Sequence, residues 1–354
     1  MTAQIETVHE HIVYMVARVH GMKSRLLSRD ELEDLLDQQD VEAVIEVLLT
    51  SEYQEEMARA LATHSGANAI EEAVSRHVLL AFQQLLDTSG PRYRPYAALF
   101  LARWDLMTVK QLLRRRFAQD HGVYSRDLPM PGPTLGVPLI KHLSELDSLE
   151  ALIQGLVAWN RELCACLWGV HSTDGTEGEL RVLEDALDRT YLVENVRSLA
   201  GNPDLNAQLL RNVLRLSIDG INLRILLHDK AHQDAHEDWL LPEGTMSKRV
   251  AAKMMAAEDV ESAMVLLEST PYRELVEGLY MFLQTGRFSP LERMFEQQLA
   301  KELRRMARRH GMTLAPLMYY AWLKYNEVVN LRLIARGGTR HLPRGRIREE
   351  MMYG

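Results

Sequence analysis

Three histidines, His228, His232 and His236, stand four residues apart, with Asp229, Asp234 and Glu237 among them. On a helix this spacing lines the imidazoles along one stripe, a donor set that could ligate zinc. Their neighbours are polar all round, and a working site needs an outer shell to orient its ligands. A solvated linker accounts for the row better. Cys164 and Cys166 lack the two-residue gap of zinc and redox motifs. They point to different helix faces and read as core cysteines. The chain has no phosphate-cradling glycine loop, nucleophile elbow or zinc-protease helix motif. No residue set nominates a catalyst, a metal or a cofactor, and the expectation is a protein that is not an enzyme.

Two basic clusters stand out, Lys110 with Arg114, Arg115 and Arg116, and Arg304, Arg305, Arg308 and Arg309. Arg304/Arg308 and Arg305/Arg309 are helical neighbours that repel one another. Acidic residues of the same chain or solvent would offset them, and so would an acidic partner protein or a nucleic acid. No aromatic residues interleave the arginines, so base stacking is poorly supported. A net charge of −8 argues against a general nucleic-acid binder.

A different pattern recurs along the chain: an acidic residue, two residues, Asn or Thr, an aliphatic residue, a basic residue, any residue, then an aliphatic. It begins at Asp105 (with Thr108 and Lys110), at Asp219 (with Asn222 and Arg224) and at Glu327 (with Asn330 and Arg332). The intervals are 114 and 108 residues. A second element keeps almost the same period. Asp40 opens a helical segment that runs to Tyr53, Asp259 opens one that runs to Tyr272, and Ser148 opens a related one between them. Repeats this long exceed the range of solenoids and read as duplicated domains. Within each motif the acidic residue and the Asn share a helix face among aliphatic neighbours. Buried polar groups must be hydrogen-bonded, so the pair either satisfies backbone groups at loops and helix ends or binds a partner directly.

The elements that carry these motifs are helices. Leucine, alanine, glutamate and arginine outnumber valine and isoleucine, and all four favour helices. Only 12 prolines and 20 glycines punctuate 354 residues. Ser28 with Glu31 predicts a capping box, and Leu32, Leu35 and Leu36 form the apolar stripe of the helix behind it. Further helices are expected over about 69–86 and from Pro95 to about Gln119. The run Pro129-Met130-Pro131-Gly132-Pro133 marks the clearest boundary. The expected fold is all-α, with helical repeat units at 1–130, 131–238 and 239–338. A basic tail at 339–354, with Arg340, Arg344, Arg346 and Arg348, reads as poorly ordered. No run approaches the apolar length of a membrane span, and the polar, acidic N-terminus is unlike a signal peptide; the chain is expected in the cytoplasm.

The segment Tyr14…Ala17-Arg18-Val19…Leu26-Leu27 resembles the opening of the central-stalk connector of V/A-type rotary ATPases, the C subunit of prokaryotes and the d subunit of eukaryotes. Arg103-Trp104-Asp105-Leu106…Val109…Leu112-Leu113-Arg114 is similar to that family's first long-helix motif. The stretches from Asp219 and Glu327 are similar to its second and third. Departures are Thr108 in place of Asn, a proline-rich 123–138 and the arginine-rich tail. The resemblance implies three tandem helical domains in a pseudo-threefold funnel, without active site or cofactor. It implies a rotor subunit that sockets the shaft onto the membrane's proteolipid ring and passes torque between ATP turnover and proton or sodium transport. Its partners would be the shaft subunits and the ring, with no nucleic acid, and membrane contact would run through those partners on the cytoplasmic face. Arg114, Arg224 and Arg332 are the expected shaft contacts. The alternative is a helical scaffold that binds nucleic acid or an acidic regulatory partner through its arginine clusters.

Overall fold

The structure is a computed structural model that describes residues 2–38, 40–120, 132–172, 177–232, 240–276 and 289–353. Every regular element among them is a helix, as the composition predicts. The chain divides into two compact units, residues 1–187 with 306–354, and residues 188–305.

In the first unit the Gly66–Thr88 helix buries Ile70, Val74, Val78, Phe82 and Leu85, spaced as one apolar stripe. It packs against the long Ala315–Thr339 helix, which also meets the Thr2–Lys23, Arg29–Gln38, Val41–Leu49 and Gly90–Asp120 helices. The Ala315–Thr339 helix is therefore buried on nearly all sides, and Lys324, Asn326, Glu327 and Asn330 are inside with its apolar residues. Those polar groups must find partners within the protein or cost stability. The second unit is built around Leu223, Leu226, Leu227, Met254, Val260, Met264, Leu267 and Tyr272.

Local signals set the helix starts. The capping box forms as expected: the Glu31 N–H donates to Ser28 Oγ at 3.2 Å, and the Ser28 N–H donates to Glu31 Oε2 at 2.7 Å. Asp40, Ser148 and Asp259 each cap a short helix by accepting from a backbone N–H, which satisfies a donor the helix cannot. The Gly90–Asp120 helix starts earlier than the expected Pro95. Gly90 turns the chain at φ +65° and Pro91 suits a first turn. Pro95 is carried inside the helix at the loss of one backbone bond.

The tail is the main correction. Expected to be poorly ordered, it forms a helix over Arg344–Glu350 with Ile347 buried. Ile347 and Met351 lie one turn apart and supply an apolar contact, and Ile347 sits on Gly337, where any side chain would collide with it. Arg348 bonds Glu33 at 2.8 Å and Asp37 at 3.0 Å, and the Tyr353 hydroxyl donates to Glu33 at 2.6 Å. Arg348, and Arg344 at 3.9 Å from Asp37, thus face the acids of the Arg29–Gln38 helix.

Candidate functional site

The three acidic motif residues are buried, Asp105 and Asp219 at 0% exposure and Glu327 at 3%. Each is the centre of a socket. Asp105 Oδ1 accepts from the N–H groups of Thr134 at 3.0 Å and Leu135 at 2.8 Å, and Oδ2 accepts from the Thr134 hydroxyl at 2.8 Å. Trp159 Nε1 donates to the same Thr134 oxygen at 2.7 Å. Burial pushes the Asp105 carboxyl up to about 6, against the opposing pull of these donors.

Asp219 repeats the arrangement. It accepts from the N–H groups of Thr245 at 2.9 Å and Met246 at 3.0 Å, from the Thr245 hydroxyl, and from the Tyr272 hydroxyl. Burial, and then the Asp219 charge, push the Tyr272 phenol well above its ordinary range. A Cβ on Gly132 or Gly244 would collide with the Asp105 or Asp219 carboxylate. Glycine lets the loop come close enough for its N–H groups to reach the acid.

The third socket is closed by the far end of the chain. Glu327 accepts from the N–H of Leu27, 300 residues away, and from the hydroxyl of Tyr53. Lys324, fully buried, donates to Glu327 at 2.8 Å and to the Tyr53 oxygen at 2.9 Å, pairs with Glu52, and lies 4.1 Å over the Tyr53 ring. Burial, then the Glu327 charge, raise the Tyr53 phenol. Burial alone would also raise Glu52, but His77 and Lys324 hold it below the usual carboxylate range. Glutamate, one methylene longer than aspartate, reaches its loop without a neighbouring glycine.

The sockets share a register. Tyr53 lies 26 residues after Leu27, Tyr272 lies 26 after Met246, and Trp159 lies 24 after Leu135. Each motif acid thus bonds to the loop that follows it in the repeat, and the aromatic closes on the acid itself (Tyr53, Tyr272) or on the loop threonine (Trp159). For Glu327 these are residues 27–53 at the start of the chain. The Asn one turn on adds a clamp. Asn222 takes both polar groups of Leu241, accepting from its N–H at 2.7 Å and donating to its carbonyl at 2.8 Å. Asn330 does the same to Met352, at 2.9 and 2.7 Å. Thr108 instead donates to the Trp104 carbonyl of its own helix at 2.9 Å. These contacts satisfy backbone groups at loops and beyond helix ends.

The basic candidates divide. Arg114 pairs with Glu184 through Nε at 2.5 Å and Nη2 at 2.8 Å, and Arg332 lies 3.6 Å from Glu71. Lys110 is half-buried and Arg224 is exposed. Arg116 donates to the Leu146 carbonyl at 3.1 Å, and Arg305 pairs with Glu302 on its own helix. Cys164 is buried and its thiol donates to the Ile153 carbonyl at 3.2 Å, while that of Cys166 approaches the Ala186 carbonyl at 3.9 Å. The side chains of the histidine row lie outside the described residues. Among the described residues no group of His, Cys, Asp or Glu is arranged to hold a metal, and no helix is long and apolar enough to cross a membrane. Thr134, Thr245, Lys324 and Trp159 escaped the sequence reading. The Gly132-x-Thr134 and Gly244-Thr245 pairs were the available signal for the two threonines.

A family model described as ATP synthase (C/AC39) subunit matches residues 15–350. The chain is 26% identical over 347 residues to the A-type ATP synthase C subunit of Methanococcoides burtonii, covering 96% of this chain and 93% of that one. It is 26% identical over 329 residues to the A-type ATP synthase C subunit of Methanothermobacter thermautotrophicus, covering 91% and 83%. The namesake from Pyrococcus furiosus is 23% identical over 330 residues, covering 91% and 85%. The motifs at Asp105, Asp219 and Glu327 all fall inside the matched span, and the chain belongs to the ATP synthase (C/AC39) subunit family.

Proposed function

We propose that this chain is the central-stalk connector of an A- or V-type rotary ATPase. In this role it is a non-catalytic rotor subunit, peripheral to the membrane on its cytoplasmic face. It takes the end of the rotor shaft, stands on the proteolipid ring, and carries torque between ATP turnover and ion movement. The observation that carries the reading is the thrice-made carboxylate socket in a chain matched to the family over residues 15–350. A part loaded by rotation gains from polar cross-links that tie long helices to loops remote in sequence. Three similar units offer similar footholds about a pseudo-threefold, funnel-like axis. On this reading the units are the Asp105 helix with residues 132–159, the Asp219 helix with residues 240–272, and the Glu327 helix with residues 344–353 and 27–53.

Arg114, Arg224 and Arg332 remain the first shaft contacts to test, Arg114 and Arg224 being exposed. Reversing their charge is expected to weaken shaft binding and reduce its salt dependence. Unchanged affinity and salt dependence for all three reversals would remove these arginines from the interface. The scaffold alternative is weakened by the acceptors that Arg114, Arg116 and Arg305 find within the chain. The deciding experiment is affinity capture of the chain from gently solubilised native membranes, with mass spectrometry. Head, shaft and proteolipid subunits are expected together. Recovery of nucleic-acid-binding proteins in their place would overturn the assignment.

A further inference from the structure

The Gly90–Asp120 and Ala315–Thr339 helices also meet at an aromatic box that the sockets do not use. The Arg103 guanidinium lies over the Trp322 ring, 4.5 Å from its centroid, with Trp104 at 5.6 Å and Phe100 at 6.0 Å. Trp104 packs on Tyr325 at 5.4 Å, and the Tyr325 hydroxyl approaches Met107 Sδ at 4.0 Å. Among the described residues Arg103 meets these rings and no acceptor. On the same helix the Trp322 indole N–H and Asn326 Oδ1 are buried without a hydrogen-bond partner among the described residues. They are one helical turn apart, on residues 2% and 3% exposed.

Buried polar groups nearly always pair. A packed core would be served here by phenylalanine and leucine, and a surface arginine by water. Two orphaned polar groups one turn apart, one of them on the ring that Arg103 covers, fit neither case. At its rim the box opens to solvent: Met107 is 38% exposed, and Arg103 and Tyr325 are half-buried.

We propose that this box is a docking notch for a carboxylate borne on a helical segment of the rotor shaft. The proposal rests on the central-stalk assignment and names one of its contacts. Arg103 is the hook, because its planar guanidinium presents a fork that matches a carboxylate with two parallel hydrogen bonds. The surrounding rings hold it beside the opening. When it turns to the incoming acid it uncovers the Trp322 ring, and the indole N–H and the Asn326 carbonyl become reachable by the partner. The free chain carries the cost of two unpaired groups and docking relieves it, so the ligand favours the uncovered state.

The test is calorimetric titration of purified shaft subunits into the full-length chain at two salt concentrations. Wild type is compared with Arg103→Gln, Arg103→Lys and Trp322→Phe, with helicity and melting temperature recorded for each. Arg103→Gln is expected to weaken binding at least about tenfold and to flatten its salt dependence. Arg103→Lys keeps the charge but lacks the fork and restores only part of the affinity. Trp322→Phe keeps the ring and deletes the orphaned donor. It is expected to raise the melting temperature of the free chain while weakening docking, opposite effects that a purely structural role would not produce. Wild type that binds the shaft while Arg103→Gln binds within about twofold of it overturns the notch and leaves the stalk assignment standing. Wild type that does not bind the shaft overturns both. Should Trp322→Phe fail to fold, the two Arg103 variants decide the matter.

Discussion

Asp105 and Asp219 hold the same position in two copies of one motif, yet their sockets set different donors around the carboxylate. Asp105 receives two N–H groups on Oδ1 and one reorientable hydroxyl on Oδ2. An amide nitrogen in place of Oδ2 can donate to Thr134, so Asp105→Asn is expected to lie within about 1 kcal/mol of wild type at pH 7. The folded carboxyl binds its proton near 6 rather than near 3.8. Protonation therefore favours the folded state. The penalty is absent below the unfolded value, grows between the two, and is complete above about 6, where it amounts to about 3 kcal/mol. Measured by urea unfolding at pH 7 and pH 5, wild type should gain about 1 kcal/mol on acidification relative to Asp105→Asn. Equal profiles would show that the socket does not perturb the acid. Asp219 has donors on both oxygens, two of them hydroxyls from Thr245 and Tyr272. Asp219→Asn would set an amide donor against donors and should cost about 2 kcal/mol, and Asp219→Ala about 4 kcal/mol. Denaturation midpoints that rank the two substitutions the other way would contradict this geometry.

At the scale of elements, what was legible in the sequence was local or periodic. Ser28 and Glu31 are three residues apart, so their capping box could be read directly. The motif period exposed the repeat because each copy must bury the same acid. Which loop each acid takes was not legible, since a periodic chain offers one before it and one after, and Asp105 could have closed on Tyr53 as readily as on Thr134 and Trp159. Trp159 also stands at a shorter spacing from its helix cap than Tyr53 and Tyr272 do, which hid the equivalence. The order of the tail is hidden because its arginines dominate the composition, while the informative pair is Ile347 and Met351, both buried. The clamp from Asn330 to Met352 predicts how that tail is held. Asn330→Ala should raise amide exchange across residues 344–353 by about tenfold or more, with the Gly66–Thr88 helix unchanged. Equal protection in the variant would mean that Ile347 and the Arg348 pairs suffice.

For the whole molecule, the two chain ends share one unit, and ion pairs stitch them together. Arg336 bridges Glu71 across 265 positions, and the pair holds Glu71 below the usual carboxylate range despite its burial. Because the arginine is about a third exposed, a double-mutant cycle on Arg336 and Glu71 should return about 1 kcal/mol of coupling. In calorimetry Arg336→Ala should lower the transition of residues 1–187 with 306–354 and spare that of residues 188–305. A shift of both transitions would mean that the units unfold as one. The third socket also has a consequence in time. Leu27 leaves the ribosome 300 residues before Glu327, and at about 5–20 residues per second that interval is about 15–60 s. Throughout it, Leu35, Leu36, Val44 and Leu48, all buried in the finished fold, have no Glu327 helix to cover them. A segment synthesised early is thus among the last to be completed, which makes it the stretch a nascent-chain chaperone would hold. A message truncated after Tyr272 would yield a product with two finished sockets and an uncovered N-terminal segment, a ready substrate for degradation.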